Sequence, residues 1–221
     1  MKRQIIQTAD GSQTIYMPEL DETYHSRYGA IQEAKHVFIK NGLSLFQGKP
    51  ISILEIGFGT GLNAFITFLE TKNFEQKIDY VGIEAFPVSL EDALQMKYSE
   101  ALETVEFAGI FAEMHASLWD KKINLGNHFV FEKKQIKFQE IDFQSQFDLI
   151  YFDAFGYNVQ PELWTEAIFT RMFSALRPNG ILVTYACRTP IIKAMKANGF
   201  TIEKLAGPPG KREMLRATKP A

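Results

Sequence analysis

Apolar and polar positions change period several times along the 221 residues, and these changes outline the expected elements. Residues 3–8 and 12–17 flank Asp10-Gly11, a pair that tolerates positive φ and predicts a tight hairpin. Ile31, Ala34, Val37 and Phe38 share one face of a helix expected over 27–40, with Asn41-Gly42 as its stop. The unbroken apolar stretch at 51–56 predicts a short buried strand, followed by a glycine loop and a helix over 61–71. Residues 80–84 predict a second strand, and Pro87, a good first-turn residue, starts a helix. Strands are expected at 135–141 and at 147–152, which reads FDLIYF. A helix over 162–176 stops before the turn signal Pro178-Asn179-Gly180. A strand at 181–185 and a helix at 189–198 follow, and strands at 200–205 and 212–218 close the chain. The last two share a short Gly-Pro-Pro-Gly connection and are expected to pair antiparallel.

Strands alternating with helices predict an α/β fold, a doubly wound, mostly parallel Rossmann-like sheet covered on both faces. An antiparallel strand pair is expected at its C-terminal end, and residues 1–45 are expected to form a hairpin-and-helix extension packed on a domain spanning 46–221. Hydrophobic residues make up 46% and charged residues 23%, which excludes disordered, collagen-like and coiled-coil classes. No apolar run reaches the roughly 18 residues of a membrane span, and the start MKRQIIQTAD has no secretory pattern. A single cysteine, Cys187, excludes an internal disulfide or a cysteine metal cluster and points to a reducing cytoplasm. The histidines at 25, 36, 115 and 128 have no metal-ligand spacing, so no metal is expected.

Net charge is −2, yet from Arg188 onward eight Lys or Arg stand against two Glu. This basic tail can meet phosphates or can simply be a solvated surface.

In a doubly wound sheet, ligands sit at the carboxyl ends of the strands where the winding reverses. The loop there reads Glu55-Ile56-Gly57-Phe58-Gly59-Thr60-Gly61-Leu62-Asn63. Gly57, Gly59 and Gly61 let the backbone turn tightly against a ligand, and the following helix start favours an anionic group. Glu84 ends the next strand, where a carboxylate can take both hydroxyls of a ribose. The spacing G-x-G-x-G differs from the G-x-G-x-x-G of dinucleotide folds, and the Lys-Ser/Thr pair of a P-loop is absent. Glu55 would repel a pyrophosphate but suits the ammonium of an amino acid. A ligand with a ribose, an amino acid end and a positive sulfur fits: S-adenosylmethionine. Asp142 would then hold the adenine amino group, with Phe143 against the ring, and Asp153 closes a further strand end.

On these residues the sequence resembles class I S-adenosylmethionine-dependent methyltransferases, and more narrowly the MnmC methyltransferase-domain family with its stand-alone MnmD form. The resemblance rests on 55–63, Phe152-Asp153-Ala154-Phe155, residues 158–165, Gly210-Lys211-Arg212-Glu213-Met214-Leu215, and Asp21-Glu22-Thr23-Tyr24-His25-Ser26 with Glu33 and Val37-Phe38 downstream. It spans roughly residues 20 to 216. One departure is Ala154-Phe155-Gly156-Tyr157, where the family usually has Gly-Phe-Ala-Pro.

The resemblance implies methylation of the aminomethyl nitrogen on C5 of a modified wobble uridine in tRNA. It also implies a flavin-dependent oxidase that prepares this amine. No second glycine-rich nucleotide loop occurs before Ala221, so the stand-alone form with a separate oxidase is expected. Asp153 is the expected catalytic residue, as the base for the amine or as the group that orients it. Phe155 and Tyr157 would line the acceptor pocket. Tyr24 and Ser26, with His25, would close over the cofactor or form a packed segment. Trp164 would stack on a flipped base or belong to the core. Lys211 and Arg212 would contact phosphates. The alternatives are a methyltransferase for a small molecule or protein and a nicotinamide-dependent oxidoreductase, which glycine spacing disfavours.

Overall fold

The N-terminal hairpin and the first helix are tied together at a single turn in the computed structural model, which describes residues 2–74 and 76–221. Strands β1 (Gln4–Gln7), β2 (Gln13–Met17) and β3 (Glu22–Thr23) form a small antiparallel sheet. Gly11, at φ +83°, makes the turn, and Asp10 accepts hydrogen bonds from Thr8 and Ser12 around it. Its other oxygen accepts the backbone N–H of Gln32 at 3.0 Å, so the same carboxylate caps the helix that follows. That helix, α1 (Ala30–Ala34), continues as a π-helical stretch over Lys35–Lys40 rather than as the uniform helix expected. Ile15, Met17, Val37 and Phe38 join the same apolar core as Ile53 and Tyr80 of the main sheet.

The main sheet contains β4 (Ile51–Ile56), β5 (Ile78–Ile83), β6 (Ile123–Leu125), β7 (Phe129–Lys134), β8 (Phe147–Phe152), β9 (Leu176–Thr184), β10 (Thr201–Ala206) and β11 (Glu213–Thr218). Their order is β10-β11-β9-β8-β4-β5-β7-β6. The five central strands, β9, β8, β4, β5 and β7, pair in parallel. The β10–β11 pair is antiparallel at one end, as expected. Successive residues of β8 alternate between the two cores: Leu149 and Tyr151 enter one, Ile150 and Phe152 the other. Both faces are covered, which explains the unbroken apolar lettering. Helices α2 (Leu62–Phe74), α3 (Leu90–Leu94), α4 (Tyr98–Ala101) and α5 (Ala108–Ala116) lie between β4 and β7. Helices α6 (Glu166–Ala175) and α7 (Thr189–Ala197) flank β9 in sequence.

Three expectations are corrected. The strand placed at 135–141 is β7, over Phe129–Lys134, and Phe138–Glu140 is a 3-10 turn. Charged lettering hid β7: Glu132 and Lys133 are both buried, Lys133 lying 4.7 Å above the Trp119 ring while its ammonium donates to the His115 carbonyl. The turn expected at Pro178-Asn179-Gly180 is absorbed into β9 next to a register shift, with Asn179 at φ +63°. The helix expected from Pro87 begins later, at Leu90, where the Ser89 hydroxyl accepts the Asp92 N–H.

Candidate active site

Winding reverses at β4, and the carboxyl ends of β4, β5 and β8 open there into a cavity of about 880 Å³. That is in the upper part of the range for small-molecule sites. Gly57, Gly59 and Gly61 all have positive φ, at +90°, +50° and +76°. A Cβ on Gly57 would sit 2.4 Å from the Asp153 carbonyl oxygen, so the β4 loop can pass the end of β8 only without a side chain. Gly57 and Gly59 line the cavity, whereas Gly61 lies behind it and packs against His115, 2.6 Å from where a Cβ would stand.

Glu84 follows β5 on the cavity wall. One carboxylate oxygen accepts the Gly59 N–H at 3.0 Å and the other the Phe86 N–H at 2.8 Å, which fixes the group and leaves lone pairs for a diol. Arg3 closes this end by donating to the carbonyls of Phe86 and Pro87. Tyr24 stands against Gly59 and packs edge-on to Phe155, with ring centroids 5.1 Å apart. Ser26, His25 and Phe155 also face the cavity. His25 lies between Thr14 and Thr60, and burial lowers its pKa to about 4. His115 meets the Thr60 carbonyl at 3.0 Å and is likewise lowered to about 4, chiefly by burial.

Asp153 opens into the cavity just beyond β8 and is otherwise enclosed by protein. Burial, with the Glu33 carboxylate second, raises its pKa to about 7; hydrogen bonding from Asn63 and the charge of Lys211 oppose the rise. Asn63, in the first turn of α2, donates from Nδ2 both to Asp153 at 2.8 Å and to Glu55 at 3.0 Å. Glu55 itself is fully buried and does not line the cavity. Loss of hydration holds its pKa far above that of an ordinary carboxylate, against the opposing pull of the Tyr80 hydroxyl and the Asn63 amide. It therefore supports Asn63 from behind rather than meeting an ammonium in the cavity.

The adenine expectation moves as well. Asp142 and Phe143 line a separate shallow hollow with Arg171 and Ser174, because the 3-10 turn carries the chain past the cavity before reaching them. Phe138 and Gln139 stand on the cavity wall instead. Trp164 is core: it is 2% exposed, packs on Phe152 at 5.0 Å and donates its indole N–H to the Phe155 carbonyl at 2.8 Å. Tyr157 packs against the second core and is outside the cavity lining. Lys211 does line the cavity, but its ammonium pairs with Glu33. Arg212 is exposed and outside the lining. Sequence reasoning missed Arg3, Asn63 and Tyr185; Asn63 was in the glycine-loop lettering without a role.

The glycine backbone, the anchored Glu84 carboxylate and the strand-end acid fit S-adenosylmethionine, and together with the fold they define a class I methyltransferase. The chain belongs to the family of S-adenosyl-L-methionine-dependent methyltransferases, whose model matches residues 96–220. Among curated proteins, it is 28% identical over 226 residues to the tRNA 5-methylaminomethyl-2-thiouridine biosynthesis bifunctional protein MnmC of Polaromonas naphthalenivorans, covering 95% of this chain and 34% of that one. The protein of the same name from Leptospira interrogans is 28% identical over 215 residues, 89% of this chain and 32% of that one. The chain thus spans about a third of the length of these relatives. The crystal structure of MnmC2 from Aquifex aeolicus has the same fold, with a TM-score of 0.74 and 22% identity over 100% of this chain and 72% of that one. Among the described residues, no group of three or more His, Cys, Asp or Glu is arranged for a metal, and no helix is long and apolar enough to cross a membrane.

Proposed function

We propose that this chain methylates the aminomethyl nitrogen on C5 of a modified wobble uridine in tRNA, in the cytoplasm. The observation that carries the reading is Asp153: a carboxylate with a pKa of about 7, open only to the cavity, beside the glycine cradle. A primary ammonium must lose a proton to become a nucleophile, and a base with a pKa near neutrality is suited to take it. S-adenosylmethionine supplies a methyl group on a sulfonium, already activated for in-line displacement. Asn63 holds the carboxylate in place, and Phe155 and Tyr24 form the apolar wall that keeps water from the amine. Glu84, Gly57, Gly59 and Phe138 would hold the nucleoside part of the donor.

The relatives' names support the tRNA acceptor. The charge pattern supports it too, with the roles in the tail redistributed. Lys204 and Arg216 pair with Glu213 and Glu203, and Lys219 caps the Phe173 and Leu176 carbonyls. Arg188 and Arg212 are exposed on either side of the Cys187–Glu213 contact, close to the cavity wall formed by Tyr185 and Lys211. These two guanidiniums would meet phosphates around an inserted nucleotide. A separate flavin-dependent oxidase would generate the amine. Nucleoside analysis of tRNA from cells lacking this protein tests the reading: the unmethylated aminomethyl nucleoside should accumulate, and an unchanged nucleoside profile would refute it.

A further inference from the structure

The acceptor end of the cavity contains a cation of the protein's own. Lys211 follows the tight Gly207–Gly210 turn, where Gly207 leaves no room for a Cβ beside the Lys211 carbonyl and Gly210 packs under the Tyr28 ring. From this constrained backbone the side chain enters the cavity, and its ammonium pairs with Glu33 of α1. Glu33 is only 8% exposed, and its second carboxylate oxygen accepts the Ser26 N–H at 2.9 Å. The Lys211 nitrogen lies 4.6 Å from the centre of the Tyr185 ring, whose hydroxyl is anchored on the Ala154 carbonyl at 2.8 Å. Glu22 and Asp153 line the same end. Glu33 in contact, the charge of Asp153 nearby and an aromatic face meet one ammonium, an arrangement that recognises alkylammonium ions generally.

We infer that Glu33 and the Tyr185 face form the seat for the acceptor's protonated amine, which the Lys211 ammonium fills in the free protein and yields when the acceptor enters. The inference rests on the acceptor being a primary amine, as proposed above. The acceptor and Lys211 carry the same group, a primary ammonium on a methylene, so one replaces the other without loss of charge balance at Glu33. The exchange needs only rotation about the lysine side chain, because the turn that bears it stays fixed. The displaced ammonium is then free to move towards the exposed side where Arg212 lies. Glu33 acts here on binding and Asp153 on proton transfer, so the two carboxylates should separate in KM and kcat.

Two variants and a small probe test this. Glu33→Gln keeps the acceptor for the Ser26 N–H and should raise KM for tRNA bearing the aminomethyl uridine about tenfold, with plateau kcat within about threefold and cofactor affinity unchanged. Because the Glu33 charge raises the Asp153 pKa, the acid limb of the pH–rate profile should move down in this variant. Lys211→Met leaves Glu33 without its cation. The melting temperature of this variant should then rise with ethylammonium chloride beyond the effect of matched sodium chloride, while the parent and the double variant do not respond. An unchanged KM in Glu33→Gln, or an equal loss of cofactor affinity, would overturn the seat, as would an Lys211→Met variant insensitive to ethylammonium. If the parent protein fails to methylate such tRNA while Lys211→Met still binds ethylammonium, the tRNA reading fails and the seat stands.

Discussion

Asn63 donates its side-chain amide to Asp153 at 2.8 Å, and this contact joins the first turn of α2 to the end of β8 on the cavity wall. The same nitrogen reaches the buried Glu55, so the amide is aimed from below and cannot rotate freely. Removing it in Asn63→Ala should lower kcat/KM about tenfold, within the range for a hydrogen bond to a charged group. It should also move the acid limb of the pH–rate profile upward, because the hydrogen bond lowers the Asp153 pKa. A profile unchanged in position would show that the amide does not act on Asp153.

Gly57 and Gly61 should fail differently on substitution by alanine. Both carry positive φ, and strain of this kind costs on the order of 1–3 kcal/mol. Gly57→Ala also drives a methyl into the Asp153 backbone, so it should lower both the melting temperature and cofactor affinity. Gly61→Ala presses on His115 outside the cavity and should mainly lower stability. Calorimetry and thermal melting separate the two effects.

Trp164→Phe tests whether the indole serves the core. The substitution removes the N–H bond to the Phe155 carbonyl and part of a buried ring, and should cost roughly 1–3 kcal/mol of stability by urea unfolding. Acceptor affinity measured below the unfolding transition should change little. A selective loss of tRNA binding at parental stability would instead restore the role of a stacking platform.

The two histidines around Thr60 predict an acid-sensitive glycine loop. Their folded-state pKa of about 4 lies below the ordinary 6.5, so the unfolded chain binds more protons between these values. The stability they confer is complete above pH 6.5 and is lost as pH falls towards 4. Asp153, raised to about 7, contributes with the opposite sign, gaining as pH falls from 7 towards 4, which is why the comparison must be with a variant. The parent's melting temperature should fall, relative to that of His25→Gln with His115→Gln, between pH 6.5 and pH 4; parallel curves would contradict the assignment.

The parallel core strands and the glycine loop were legible because apolar runs and special φ leave local marks in sequence. What sequence misjudged was direction and reach. Period-two alternation puts Glu55 on the Ile53 face, under α2, whereas its position before the loop suggested a ligand contact. Asp142 had the right residue type but followed a turn read as a strand, so Gln139 and Phe138 reach the cavity in its place. Lys211 read as a surface cation because its partner, Glu33, lies 178 residues earlier, and only the folded chain brings N-terminal helix and C-terminal hairpin together.

Transfer of labelled methyl from S-adenosylmethionine, by purified protein, to tRNA from cells lacking it tests the central claim most directly. The account predicts label in the methylaminomethyl nucleoside at the wobble position, with Asp153→Asn reducing the rate at least about tenfold while cofactor binding persists. Label in any other nucleoside, or full turnover by Asp153→Asn, would contradict it.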